Sequence, residues 1–121
     1  MSADDRAAVI VAFRDGELAG SLELALYADG FTGVIHDAAM GLDNLSLDTA
    51  ATLVIDEALL GPAPAAFIAS LRSRPWDGLV ILVASDGEAL RPLLAKSPGV
   101  VVLEMPFVAS DLTAAIRAER P

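Results

Sequence analysis

Cysteine is absent from this chain of 121 residues, and histidine occurs only once. The absence of cysteine excludes disulfides, thiolate nucleophiles, and zinc or iron–sulfur centres bound through cysteine. A single histidine leaves too few of the nitrogen ligands that transition metals prefer. We therefore expect no transition-metal site.

Basic residues are scarce: Lys and Arg together number 8, against 17 Asp and Glu, which gives a net charge of −9. They also form no cluster along the chain. Nucleic-acid binding depends largely on neutralising phosphates, and a chain of this charge repels them. We expect no nucleic-acid partner.

Long apolar stretches are also lacking. Apolar runs such as residues 79–84 are far shorter than the roughly 18 residues that a membrane-spanning helix needs. The acidic start at residues 1–6 does not resemble a signal peptide, in which basic residues precede an apolar run. We expect a cytoplasmic protein that does not associate with membranes.

Hydrophobic residues are plentiful, at 55% of the chain, which is enough to bury a core. The length fits one domain, since domains usually have about 100–150 residues. We expect a single domain over residues 1–121 with its core at about 7–118. Because the chain stops at Pro121 just as a predicted helix ends, we also expect this domain to be a module of a longer polypeptide.

Five short segments typical of strands alternate with amphipathic segments. The first, residues 7–13, is too short for a typical helix and too continuously apolar for a strand with one face in water. This pattern favours strands that are buried on both faces of a parallel sheet. The predicted strands are residues 7–13, 32–36, 51–56, 79–84 and 100–103.

Helices are predicted between these strands. Apolar residues from Leu18 to Leu26 fall at helical spacing, and Gly30 stands where that helix would stop. Ser110 is expected to cap the last helix, which buries Leu112. The other predicted helices are a weak one at 38–47, one at 62–74, and one from Ser85 or Asp86 to about Ala95 that Pro92 limits or kinks. Strands and helices in this alternation imply a parallel sheet covered on both faces.

Two short motifs stand at the ends of predicted strands: LVIDEALLGP at 53–62 and LEMPF at 103–107. With the order of elements, these motifs resemble the receiver domain of bacterial two-component response regulators. The LVIDEALLGP motif is similar to the receiver strand and loop that carry the phosphoacceptor aspartate, and it keeps Asp56. The LEMPF motif is similar to the fifth strand of receivers, which ends in Lys-Pro-Phe, and it has lost the Lys. The resemblance implies an α/β, flavodoxin-like (βα)5 three-layer sandwich with strand order 2-1-3-4-5.

Receivers that work as phosphorylation switches use further residues around the acceptor aspartate. Two acidic residues after the first strand help to bind Mg²⁺, a Thr or Ser ends the fourth strand, and a Lys ends the fifth. The metal and the Lys offset negative charge that develops during phosphoryl transfer. In this chain the matching positions have changed type and are Phe13, Arg14, Val83 and Met105. A slip of one residue would place Asp15 in the acidic pair, but Arg14 would remain beside it. Because Mg²⁺ prefers carboxylate and water oxygens, we expect neither Mg²⁺ nor another cofactor.

The segment Asp56-Glu57-Ala58-Leu59 also resembles an acidic stretch in degenerate, receiver-like segments at the N-termini of some hybrid sensor histidine kinases. Those segments too lack the Lys before the Pro. This narrower resemblance implies a histidine kinase or another signalling domain as the partner, within the same polypeptide or outside it.

Three functions are compatible with these residues. The leading hypothesis is a pseudo-receiver without enzymatic activity that acts through protein–protein contact, with a homodimer as one form of it. The alternatives are a phospho-receiver that accepts a phosphoryl group on Asp56, and a pseudo-receiver that binds cyclic di-GMP. In receivers the fourth helix, fifth strand and fifth helix form the docking face, and here that face would include Leu94, Lys96, Glu104, Phe107 and Leu112.

Three finer predictions concern the same end of the sheet. Arg14 is either an exposed loop residue or the partner of Asp56, and we predict the ion pair because an ionised, partly buried carboxylate needs a partner. Glu57 is expected to be a solvated neighbour of Asp56. The Met105–Pro106 bond is expected to be cis, as receivers commonly have a cis bond before this proline.

Overall fold

The computed structural model describes residues 7–36, 50–60, 63–74, 76, 78–94, 99–105 and 107–119. Within these ranges the strands are β1 (Ala7–Ala12), β2 (Phe31–Ile35), β3 (Ala50–Asp56), β4 (Leu79–Ala84) and β5 (Val100–Glu104). The helices are α1 (Gly16–Ala28), α2 (Pro64–Ser73), α3 (Gly87–Leu94) and α4 (Ala109–Glu119), with a 3₁₀ helix at Glu57–Leu59. The weak helix predicted at 38–47 lies outside the described residues.

The strands form one sheet in the order β2-β1-β3-β4-β5, and each neighbouring pair is parallel. The predicted flavodoxin-like architecture is therefore confirmed. In this order β4 is an interior strand, and every residue from Val80 to Ala84 is buried. This explains why β4 is a continuous apolar run instead of an alternating one.

Side chains of successive strand residues enter two apolar clusters on opposite faces of the sheet. In β3, Leu53 and Ile55 pack with Ile68 and Leu71 of α2. Val54 points to the other face, which is covered by α1 and α4. The members of this second cluster on the helices include Leu22, Leu26, Leu112 and Ile116. The alternation decides which face each residue at the end of a strand will join.

Side-chain carboxylates accept backbone N–H groups at the starts of α1 and α4. α1 begins at Gly16 because Asp15 is its N-cap and accepts hydrogen bonds from the N–H groups of Glu17 and Leu18, at 3.0 and 3.3 Å. α4 begins at Ala109, so the prediction that Ser110 caps it is wrong. The carboxylate of Asp111 instead reaches back and accepts the N–H of Val108 at 3.1 Å.

Arg72 in the last turn of α2 joins two loops at the amino end of the sheet. Its guanidinium donates to the carbonyl oxygens of Gly78 at 2.9 Å and Gly99 at 3.4 Å, and it lies 5.5 Å from the centre of the Trp76 ring. Gly99 has a φ of +72°, a backbone conformation that residues with a Cβ rarely adopt. A Cβ there would also lie 2.9 Å from Nη2 of Arg72.

None of the helices in the described part of the chain is both long enough and apolar enough to cross a membrane.

Candidate functional site

The carboxyl ends of three neighbouring strands bring the predicted site positions together. Asp56, the last residue of β3, pairs with Val83 of β4, and Val83 pairs with Leu103 of β5. Met105 follows β5 and donates its N–H to the carbonyl oxygen of Ala84 at 2.8 Å. These residues are therefore at one level of the sheet.

The end of β1 joins the same edge. Ala12 of β1 pairs with Ile55 of β3, so Phe13 and Arg14 follow directly beside the end of β3. The resemblance to receivers thus predicted the right neighbourhood for each of these positions.

Three of the changed positions are part of the apolar cluster beneath α1 and α4. Phe13 is 4% exposed, Val83 is 0% exposed, and Met105 packs against them while half-buried. None of the three offers the oxygen or ammonium group that a phosphorylation site uses at that place. The apolar cluster on this side of the sheet therefore extends to the carboxyl ends of the strands.

Asp56 is half-buried and forms a local hydrogen bond. Its Oδ1 accepts the N–H of Ala58 at 3.0 Å, which makes Asp56 the N-cap of the 3₁₀ helix that begins at Glu57. A short side chain with an oxygen acceptor at this point satisfies an N–H that the turn leaves without a partner. Asp56 therefore has a role in the fold, independent of any chemistry.

The predicted ion pair between Arg14 and Asp56 is wrong. Arg14 is exposed, and no ion pair or hydrogen bond joins these two described residues. The physical reason is local: Asp15 turns the chain into α1, which leaves Arg14 in solvent, while Asp56 is already bonded to Ala58. Asp15, the alternative member of an acidic pair, uses its Oδ1 to cap α1.

Three positions that the resemblance assigns to the site offer no side-chain ligand to Mg²⁺. That ion takes carboxylate oxygens and water in an octahedral arrangement. Phe13, Val83 and Met105 supply no oxygen. Among the described residues, no group of three His, Asp or Glu side chains lies close enough to hold a metal ion.

Two carboxylates accept hydrogen bonds from the junction between β4 and α3, residues 85–87. The sequence pattern predicts neither of these bonds. Glu57 is half-buried, and its Oε1 accepts the N–H of Ser85 at 3.3 Å and the hydroxyl of Ser85 at 3.4 Å. Glu104 uses Oε1 to accept the N–H of Gly87 at 3.3 Å. Glu57, which is expected to be a solvated neighbour of Asp56, is thus partly buried, and its side chain reaches the end of the neighbouring strand.

The predicted docking face is only partly exposed. Glu104 is exposed and Phe107 is half-buried. Leu112 is 0% exposed and packs in the interior, so the prediction that it lies on this surface is wrong. Its position on α4 points it at the sheet. Two further residues of this face, the side chain of Leu94 and all of Lys96, lie outside the described residues. Pro106, and with it the predicted cis bond, also lies outside them.

No protein-family model and no curated protein matches the chain. Several solved structures are similar to the chain. A response regulator receiver domain from Clostridium thermocellum is 18% identical, with 93% of this chain and 92% of that chain covered and a TM-score of 0.75. The receiver domain of Francisella response regulator 1452 is 19% identical, with 93% and 95% covered and a TM-score of 0.77. A sensor protein from Polaromonas sp. JS666 is 24% identical, with 93% and 94% covered and a TM-score of 0.75. The chain therefore has the fold of a response regulator receiver domain.

Proposed function

We propose that this chain is a pseudo-receiver: a signalling domain of two-component systems that acts through protein–protein contact and is not switched by phosphorylation of Asp56. The observation that carries the proposal is the packing of Phe13 and Val83 in the core at the place where a phosphorylation site needs polar groups.

Electrostatics supports this proposal. Transfer of a phosphoryl group to a carboxylate brings several negative oxygens together, and preorganised cations or donors must offset their charge. Around Asp56 the strand ends offer a benzyl group, an isopropyl group and a thioether, from Phe13, Val83 and Met105. None of these three side chains supplies a cation or a hydrogen-bond donor to offset the charge of a phosphoryl group on Asp56.

The partner we propose is a histidine kinase or another signalling domain, in the same polypeptide or a separate one. The similar structure from Polaromonas is described as a sensor protein, which supports an association with sensors. The exposed residues Glu104 and Val108, beside the half-buried Phe107, would provide the contact surface. Val108 is 62% exposed and is the large apolar side chain that this surface would bury against a partner.

The experiment is a titration of the domain with Mg²⁺ and beryllofluoride, followed by NMR of backbone amides at Asp56, Val83 and Ser85. Beryllofluoride is an analogue of the phosphoryl group. We expect no saturable change in these signals, and the same result with the D56N variant as the matched control. A saturable change in the natural chain that D56N abolishes would overturn the proposal.

That outcome would instead support a phospho-receiver with an atypical pocket. One observation favours this second candidate: Asp56 is half-buried at the carboxyl edge, and only its Oδ1 forms a hydrogen bond among the described residues. Its second oxygen is left for an incoming phosphoryl group. Mass spectrometry after incubation with acetyl phosphate tests this directly, because acylphosphate formation on Asp56 adds the mass of one phosphoryl group.

A further inference from the structure

The junction between β4 and α3, residues 85–87, lies between two strands that each send a carboxylate to it. β4 stands between β3 and β5 in the sheet, so any group at the ends of those strands flanks the junction. Glu57 follows β3, and Glu104 is the last residue of β5. The two side chains therefore reach the junction from opposite sides.

On the β3 side, one carboxylate oxygen of Glu57 accepts both donors of a single residue. The N–H and the hydroxyl of Ser85 lie 3.3 and 3.4 Å from Oε1. The backbone of Glu57 is itself held, because Asp56 caps the 3₁₀ helix that Glu57 begins. Asp56 is thus a positioning residue for Glu57.

On the β5 side, Glu104 meets the first turn of a helix. Gly87 is the first residue of α3, and the early N–H groups of a helix have no acceptor within the helix. A carboxylate at that end is also favoured by the helix dipole. The position of Glu104 is set by its pairing with Ala84, so its side chain starts beside the junction.

Gly87, the donor of this bond, packs closely against β5. It is buried, and a Cβ at this residue would lie 3.2 Å from Cγ1 of Val102. The lack of a Cβ therefore lets the backbone of Gly87 lie beside the strand that carries Glu104.

We propose that Glu57 and Glu104 form a two-sided carboxylate clamp that holds Ser85, Asp86 and Gly87 in one conformation. The clamp makes the surface at the start of α3 a fixed feature of the domain. It uses acceptors that belong to the chain itself, so it does not depend on the signalling role proposed above.

The test is exchange of the Ser85 and Gly87 amide protons with water, measured by NMR in the natural chain and in variants. Exchange reports how often an amide loses its acceptor. Loss of one such hydrogen bond should raise the rate about threefold to tenfold. We expect this rise at Ser85 in E57A, at Gly87 in E104A, and at both in the double variant. E88A is the matched control, because Glu88 is exposed in the first turn of α3 and its removal makes the same change of charge.

Conservative variants separate the clamp from a general loss of structure. E57Q keeps an oxygen acceptor and should restore most of the protection of Ser85. D56N keeps a capping oxygen and should leave Ser85 protected, whereas D56A should release Glu57 and raise the exchange rate of Ser85.

Three results would overturn the clamp: an unchanged rate at Ser85 in E57A, an equal rise in E88A, or an unchanged rate at both amides in the double variant. Since the clamp residues are at the surface or half-buried, the variants are expected to fold. An unchanged set of amide signals from β1 and β3 confirms this in the same spectra.

Discussion

Asp56 and Val83 lie directly opposite each other on adjacent parallel strands, β3 and β4. One is a half-buried carboxylate and the other is a fully buried valine. The boundary between the polar edge and the apolar interior thus passes between two paired residues. In a phosphorylation switch a hydroxyl is expected at the second position, and here that position is part of the core.

Replacing Val83 with Thr tests how fully this position belongs to the interior. The added hydroxyl would be buried in the apolar cluster under α1 and α4, so we expect the free energy of unfolding to fall by about 1–3 kcal/mol. Val34 is 48% exposed on β2, and V34T is the control, with a change below about 0.5 kcal/mol. Urea denaturation measures both. Equal stability of V83T and the natural chain would mean that the hydroxyl finds an acceptor at the edge.

Asp15 and Arg14 are adjacent in the chain, but only Asp15 is expected to contribute to the free energy of unfolding. Asp15 caps α1, so D15A should lower the free energy of unfolding by about 1 kcal/mol, and D15N should have little effect because Asn also caps helices. Arg14 is exposed and bonded to neither Asp56 nor another described residue, so R14A should stay within about 0.5 kcal/mol of the natural chain. Thermal unfolding followed by circular dichroism compares the variants. A larger loss in R14A than in D15A would contradict the assignment.

Thr52 has a buried hydroxyl that no described group satisfies. It is 0% exposed in β3, and its Oγ1 has no hydrogen-bond partner. Valine has nearly the same shape without the unsatisfied oxygen, so T52V should raise the free energy of unfolding by about 1 kcal/mol. Thr32 is exposed on β2, and T32V should leave stability nearly unchanged. If T52V is no more stable than T32V in urea, the hydroxyl of Thr52 has a partner in solution.

Gly99 combines a left-handed backbone with a close neighbour. G99A should lower stability by more than the roughly 1–2 kcal/mol expected for a left-handed alanine alone, because its Cβ also displaces Arg72. Gly30 has a φ of +92° with open space around it, so G30A is the control for backbone strain without the clash.

A double-mutant cycle isolates the contact with Arg72. G99A should cost less in an R72A background, where no guanidinium remains to be displaced. Equal costs in both backgrounds would mean that Arg72 moves aside freely.

The interior strands β1, β3 and β4 could be predicted from the sequence because their burial leaves continuous apolar runs. The residues at their carboxyl ends followed from the order of the elements. The hydrogen bonds at the carboxyl ends of the strands could not be predicted. Glu57 and Ser85 are 28 residues apart, and Glu104 and Gly87 are 17 apart, so no local pattern links them. Arg14 illustrates the reverse error. Strand order placed it beside Asp56, but the direction of its side chain was decided by the neighbouring cap at Asp15.

The capping bond of Asp56 gives a structural reason for an aspartate at this position. A chain without a phosphorylation site would still favour Asp here, since a change to alanine would remove the acceptor of the Ala58 N–H. Asn and Ser would meet the same demand, because they too carry an oxygen acceptor on a short side chain. Among chains of this fold, exchange of Asp, Asn and Ser at the position of Asp56 would indicate that phosphorylation there is no longer selected for. Replacement by a residue without that oxygen would mark a different turn.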